Sequence, residues 1–257
     1  MAKSVLDANV PFLRGVVRDD RDPPSVDQYP FCLPWFASLN LEFCCPVTFF
    51  VGENGSGKST LLEAIALLSR LPVGGGSRNE LGANHTPEQT SALASYVRPW
   101  FARRPQDGYF FRADMQMHFA SLLESRRDDA DFEHDPYKHY GGKSLHARSH
   151  GEAFLELITN RFRSGLFLMD EPESALSPQR QLTLLALIAR LASDGRSQFI
   201  IATHSPILLT FPNAALIDFY DETLSPIPLE ETAHYYVTRG ILENPEQYWK
   251  HLRPGDN

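Results

Sequence analysis

The sequence predicts an α/β fold with a mainly parallel sheet covered by helices, and three observations carry that prediction. Short apolar, β-prone runs alternate with helical runs over most of the chain, the pattern of strand–helix–strand units. One such run, Val47-Thr48-Phe49-Phe50-Val51, leads into Gly52-Glu53-Asn54-Gly55-Ser56-Gly57-Lys58-Ser59, a full GxxxxGK[ST] pattern. Another, Leu166-Phe167-Leu168-Met169, ends in two adjacent carboxylates, Asp170 and Glu171.

Taken in order, residues 1–30 are polar and Pro-rich, with 12–17 reading as a first strand and 18–24 as a turn. Residues 39–43 alternate and suggest a second strand. The helix after the Gly-rich loop is expected to stop near Leu71, because Pro72 and Gly74-Gly75-Gly76 follow. Loops and one helix around 88–97 come next, then a strand at 108–112 and a helix over 115–124. Residues 126–143 are charged and read as loop. Helices are expected at 149–163 and 178–192, and strands at 166–169, 198–202 and 215–220. Ser177-Pro178 is an N-cap followed by Pro at the first helical position.

Length and composition bound the function classes. At 257 residues and 42% hydrophobic content, the chain can bury one sizeable core. A formal charge of −8 gives no general pull toward nucleic acid or anionic membrane, though it leaves room for a local basic face. The first residues lack an apolar leader-like stretch, and no apolar run approaches the roughly 18 residues that span a bilayer. Three cysteines, Cys32 and the adjacent Cys44-Cys45, have no metal-ligand spacing. A disulfide framework is not expected, a reducing cytoplasm is, and Cys44 and Cys45 read as packing residues.

The Gly-rich loop implies a chemistry. Backbone N–H groups of such a loop, set at a helix N-terminus, wrap phosphate oxygens, and the helix dipole favours the anion. Lys58 is placed to reach the β/γ-phosphates, Ser59 to hold Mg²⁺, and Glu53, Asn54, Gly55, Ser56, Gly57 and Thr60 to complete the cradle. Asp170 at its strand end suits Mg²⁺, and Glu171 suits a water attacking a γ-phosphate. His204 follows the next strand; it could serve a γ-phosphate or cap and pack locally. Ser149-His150-Gly151-Glu152 opens a helix with the S-x-x-E spacing of a capping box. That segment reads equally well as a plain cap or as phosphate donors from Ser149 and Gly151. His134, His139, His146 and His150 match no zinc spacing and read as loop residues.

In order, the phosphate loop, the Ser-x-Gly-Glu helix, the Asp-Glu strand and the strand-end histidine resemble the ABC-type ATPase family over about residues 39–220. Ser149-His150-Gly151-Glu152 resembles its signature motif, with His150 and Glu152 where most members have Gly and Gln. Ser174-Ala175-Leu176-Ser177 resembles its D-loop, with Ser177 in place of the usual Asp. The runs 171–178 and 202–206 look like a group of soluble bacterial predicted ATPases related to the SMC, RecF and overcoming-lysogenisation-defect ATPases.

The resemblance implies one ATPase domain over 1–257. Its mainly parallel sheet would carry an antiparallel β portion and a small helical signature subdomain at about 115–160, with 1–30 and 221–257 peripheral. It implies ATP and Mg²⁺ as ligands and an ATP-dependent homodimer, in which Ser149, Gly151 and Glu152 close over the partner's γ-phosphate while Glu171 and His204 act on the water. Gln116 is the candidate for the family's Q-loop glutamine and a further metal ligand, with Asp114 its rival; Phe12 and Arg14 are candidates for adenine contact. The implied role is a clamp or switch acting on protein or DNA, as in DNA repair or phage defence. A transporter's ATPase subunit and a non-hydrolysing nucleotide-binding scaffold are the alternatives, and a membrane partner is not expected.

Overall fold

The computed structural model describes residues 12–21, 25–78, 90–114, 127 and 150–252. Its strands are β1 (Leu13–Arg18), β2 (Asn40–Glu42), β3 (Val47–Val51), β4 (Gly76–Ser77), β5 (Val97–Phe101), β6 (Gly108–Arg112), β7 (Gly165–Asp170), β8 (Ser197–Ala202), β9 (Ala215–Asp218) and β10 (Ser225–Pro226). The described helices are α1 (Lys58–Leu68), α2 (His150–Arg161), α3 (Pro178–Ala192), α4 (Pro206–Leu209), α5 (Ala233–Glu243) and α6 (Pro245–Leu252).

Seven strands form the main sheet in the order β10-β9-β3-β8-β7-β6-β4. The five inner strands run parallel and the two edge strands antiparallel. Sheets of this kind are covered on both faces, so their strands are apolar throughout rather than alternating. Accordingly every residue of β3, β7 and β8 is buried. Val47, Phe49 and Val51 face one core with Phe154, Phe167, Leu184 and Ile188, so α2 and α3 cover that side. Phe50 faces the other with Leu61, Leu62, Ile65, Leu166 and Leu168, so α1 covers the opposite side. The antiparallel portion is a separate three-stranded sheet, β2-β1-β5.

The expected helix at 88–97 is corrected. Residues 93–96 form a short 3-10 turn, and Val97 opens strand β5. Pro99 argues against a strand read locally, but β5 lies at the edge of its sheet, where a missing N–H costs no ladder bond. The expected helix at 115–124 and the loop at 126–143 fall, Arg127 apart, outside the described residues. The cysteines also differ from expectation: Cys44 is exposed and Cys45 only half-buried, because both lie in the turn between β2 and β3.

Gly165 fixes the start of β7. Its φ is +151°, and a Cβ there would lie 2.3 Å from the Asp107 carbonyl oxygen, which accepts from Leu166. Gly165→Ala is expected to lower stability by more than about 2 kcal/mol, since backbone rather than a flexible side chain must yield. Urea denaturation checks this, and an unchanged midpoint would refute it.

Candidate nucleotide site

Register brings the chemistry to one edge. Val51 pairs with Asp218, Phe50 and Asp170 both pair with Ala202, and Arg112 pairs with Asp170. The carboxyl ends of β3, β6, β7, β8 and β9 therefore lie side by side, the place where open α/β sheets bind ligands. Residues 52–57 follow β3, Asp170 and Glu171 end β7, and His204 follows β8.

The loop turns through left-handed glycines, Gly55 at φ +81° and Gly57 at φ +95°, the second acting as N-cap of α1. The Trp35 indole N–H donates to the Ser56 carbonyl at 2.7 Å and fixes the turn from below. Lys58 is 5% exposed, and its Nζ donates to the carbonyls of Gly52 (2.7 Å) and Glu53 (2.8 Å). Burial lowers the Lys58 pKa, opposed by Glu171 and Asp170. Thr60 meets the Tyr29 hydroxyl, and Glu53 Oε1 accepts from the Tyr220 hydroxyl at 3.1 Å. Tyr29 and Tyr220, both exposed, thus flank the loop; the sequence offered no local signal for either.

Ser59 Oγ donates to Asp170 Oδ1 at 2.9 Å, although β8 lies between their parent strands β3 and β7. Burial pushes the Asp170 carboxyl up to about 6, against the lowering effects of the Ser59 hydrogen bond and of Arg112. A buried carboxylate held against a hydroxyl is a hard-oxygen pair that a cation would relieve. It suits Mg²⁺, which takes one or two protein oxygens and fills its octahedron with water and phosphate. Arg112 holds the neighbouring position through Glu63 (2.6 Å) and Asp114 (3.0 Å). Asp114 is therefore committed to Arg112, and Gln116 lies outside the described residues.

Glu171 has a left-handed backbone, φ 49° and ψ 52°, which a non-glycine residue adopts only when its surroundings enforce it. Its N–H donates to the Ala202 carbonyl, and Ser174 bonds the Glu171 carbonyl through both N–H and Oγ. The kink lifts the side chain out of the strand, leaving it 47% exposed, with Oε1 at 3.7 Å from His204 Nε2. The His204 N–H donates to Glu173 Oε1 at 2.6 Å, and burial raises the Glu173 carboxyl above its usual range. His204 Nδ1 stands 2.8 Å from His234 Nε2. Burial and then the Lys58 charge lower the pKa of both imidazoles. Glu173 sits two residues past Glu171 and was within reach of a motif reading; nothing in the sequence ties His234 to His204.

The other expected residues sit elsewhere. Ser149 lies outside the described residues. Gly151 packs so closely on the chain after Glu171 that a Cβ would lie 2.6 Å from the Ala175 carbonyl oxygen. Glu152 pairs with Arg180 at 2.9 Å. Thus α2 rests on the 172–180 segment of its own chain rather than on residues 52–60. Phe12 and Arg14 are corrected as adenine contacts. Leu13, between them, exchanges hydrogen bonds with Gln198 at the amino end of β8, across the sheet from the Gly-rich loop.

A family model described as "AAA domain" matches residues 33–89, and one described as "AAA domain, putative AbiEii toxin, Type IV TA system" matches residues 91–210. The chain is 26% identical over 181 residues to the cobalt import ATP-binding protein CbiO of Salmonella paratyphi A; the match covers 66% of this chain and 66% of CbiO, just under two thirds of its length. It is 26% identical over 190 residues to the thiamine import ATP-binding protein ThiQ of Haemophilus influenzae, covering 68% of this chain and 82% of ThiQ. Among solved structures, cbiO1 from Clostridium perfringens, part of the ABC transporter complex cbiONQ, is similar at 14% identity and TM-score 0.45, covering 96% of this chain and all of that one. The SMC head domain from Thermotoga maritima is similar at 15% identity and TM-score 0.38, covering 84% and 97%. Two AAA-domain models thus match the chain in succession, and the phosphate loop, the paired strand-end carboxylates and the histidine gather on one sheet edge, the arrangement of a P-loop ATPase domain.

Proposed function

We propose that this protein hydrolyses ATP with Mg²⁺ and uses ATP binding to join two copies as a clamp or switch in the cytoplasm, with DNA repair or phage defence as its setting. The observation that carries the reading is the 2.9 Å contact of Ser59 with Asp170, with Glu171 and His204 placed beside it. Lys58, now held on two loop carbonyls, would turn to the β/γ-phosphates, and the loop amides would cradle the anion. Ser59 and Asp170 would hold Mg²⁺, which neutralises phosphate charge and draws electrons from the bond that breaks. Glu171 orients the attacking water and takes its proton, while His204 donates to the γ-phosphate oxygens.

Dimerisation is supported by the position of α2. Its first turn, with Gly151 and Glu152, packs on the segment after Glu171 rather than on residues 52–60, so signature contacts to a triphosphate on this chain's loop would have to come from a second copy. The test is ATP hydrolysis with and without Mg²⁺, alongside gel filtration of the chain with and without Mg-ATP. Turnover that rises more than linearly with protein concentration supports the reading, and a monomer of constant specific activity overturns the composite site.

Two partner readings rest on separate observations. The import ATP-binding relatives favour a transporter's ATPase subunit, and among the described residues no helix is long and apolar enough to cross a membrane, so that reading requires a separate permease. Co-purification with an integral membrane protein from native membranes would establish it. A polyanion such as DNA is favoured by an arginine group at the amino ends of β6, β7 and β8. There Arg103, Arg163 and Arg196 line a cavity of about 320 Å³ together with Asp107; Asp107 is paired with Arg161 and Arg196 with Asp194, so Arg103 and Arg163 carry that reading. Double-stranded DNA that raises turnover in a salt-dependent way would select this second reading.

A further inference from the structure

We propose that His234 is a positioning residue that sets the tautomer of His204, so that His204 presents an N–H to the phosphate rather than a lone pair. The inference rests on the ATPase reading above. His234 reaches the site from outside the recognised motifs. Buried Thr232 caps α5, accepting from the Tyr235 N–H at 3.4 Å while its own hydroxyl donates to the Leu229 carbonyl at 2.7 Å. That cap starts the helix at Ala233 and delivers His234 in the first turn, its ring centroid 4.9 Å from that of His204.

The 2.8 Å contact between His204 Nδ1 and His234 Nε2 needs one donor and one acceptor. Burial and Lys58 hold both rings toward the neutral form, so each imidazole carries one proton. Two arrangements remain. If His204 donates from Nδ1, its Nε2 lone pair faces the Glu171 carboxylate 3.7 Å away, in a place where Nε2 is buried and has no other partner among the described residues. If His234 donates from Nε2, His204 accepts at Nδ1 and carries its proton on Nε2, toward Glu171 and the phosphate. The second places hydrogen rather than a lone pair against negative charge, and a preorganised donor is worth most in such a partly dry site. His204 is then held at two points, its ring by His234 at Nδ1 and its backbone N–H by Glu173.

The test compares the full chain with His234→Phe, which keeps a ring without a donor, and His234→Gln, whose amide can donate to Nδ1. The Phe variant is expected to lose about 10- to 100-fold in kcat with KM within about twofold, and Gln to keep kcat within about threefold of the natural rate. Thermal unfolding and binding of a fluorescent ATP analogue show whether each variant is folded. Nitrogen-15 NMR of the His204 ring reads the tautomer without any turnover: the proton is expected on Nε2 in the natural chain and shared between nitrogens in the Phe variant. An unchanged kcat in the folded Phe variant, a Gln variant no better than Phe, or a proton on Nδ1 in the natural chain overturns the proposal. If the natural chain hydrolyses nothing, the ATPase reading fails, and the NMR result still decides the role of His234.

Discussion

Glu171→Gln is expected to slow ATP turnover at least about a hundredfold while leaving ATP binding intact, so that a nucleotide-bound dimer accumulates. A positioned general base contributes about 10²- to 10⁴-fold, and glutamine keeps the size of glutamate without its ability to take a proton. The substitution should be quiet structurally. The left-handed turn at residue 171 is held by backbone bonds to Ala202 and Ser174, and the side chain is half exposed. Single-turnover hydrolysis with gel filtration in Mg-ATP checks the result. A variant that hydrolyses at the natural rate would move the base elsewhere, with Glu173 next to consider because its carboxylate accepts from the His204 backbone N–H.

Asp170→Asn is expected to give a more stable but inactive protein. The Asp170 carboxyl is raised to about 6 by burial, against an ordinary 3.8. Between about pH 4 and 6 the folded chain keeps a proton that the unfolded chain has released, so stability falls as pH rises through that window. The cost is complete above pH 6 and reaches about 3 kcal/mol at most. Asparagine removes the charge and keeps an oxygen to accept from Ser59. Without metal, the variant should therefore unfold about 4–10 °C higher at pH 7.5, with the difference vanishing near pH 4. Mg-ATP should raise the Tm of the natural chain more than that of the variant, because the cation relieves the buried carboxylate only where one exists. Equal Tm values at pH 7.5, or Mg-dependent turnover in the variant, would contradict this account of Asp170.

These predictions draw on features of unequal legibility. The Gly-rich loop, its lysine and its serine were readable because phosphate binding by backbone amides needs a contiguous run of residues. The Asp170-Glu171 pair and His204 were readable as ends of apolar strands, since strands buried on both faces announce themselves by composition. Strand β5 was not, because Pro99 is acceptable only at a sheet edge and its neighbours are set by distant pairing with β1. The exposure of Cys44 escaped for the same reason: apolar-looking residues before a strand pack inward only if the connecting turn does.

By itself, then, the sequence determined the α/β class, the Gly-rich loop between β3 and α1 and the residues that end β7 and follow β8, all of them local patterns carried by a few adjacent residues. Only the tertiary structure decided that Ser59 meets Asp170 across β8, that Glu173 clamps His204, that α2 rests on the segment after Glu171, and that a helix after residue 232 delivers His234. Those pairings join residues about 24 to 111 positions apart. They arise from parallel strand register and helix packing, which depend on the whole core and leave no mark on a short stretch of sequence.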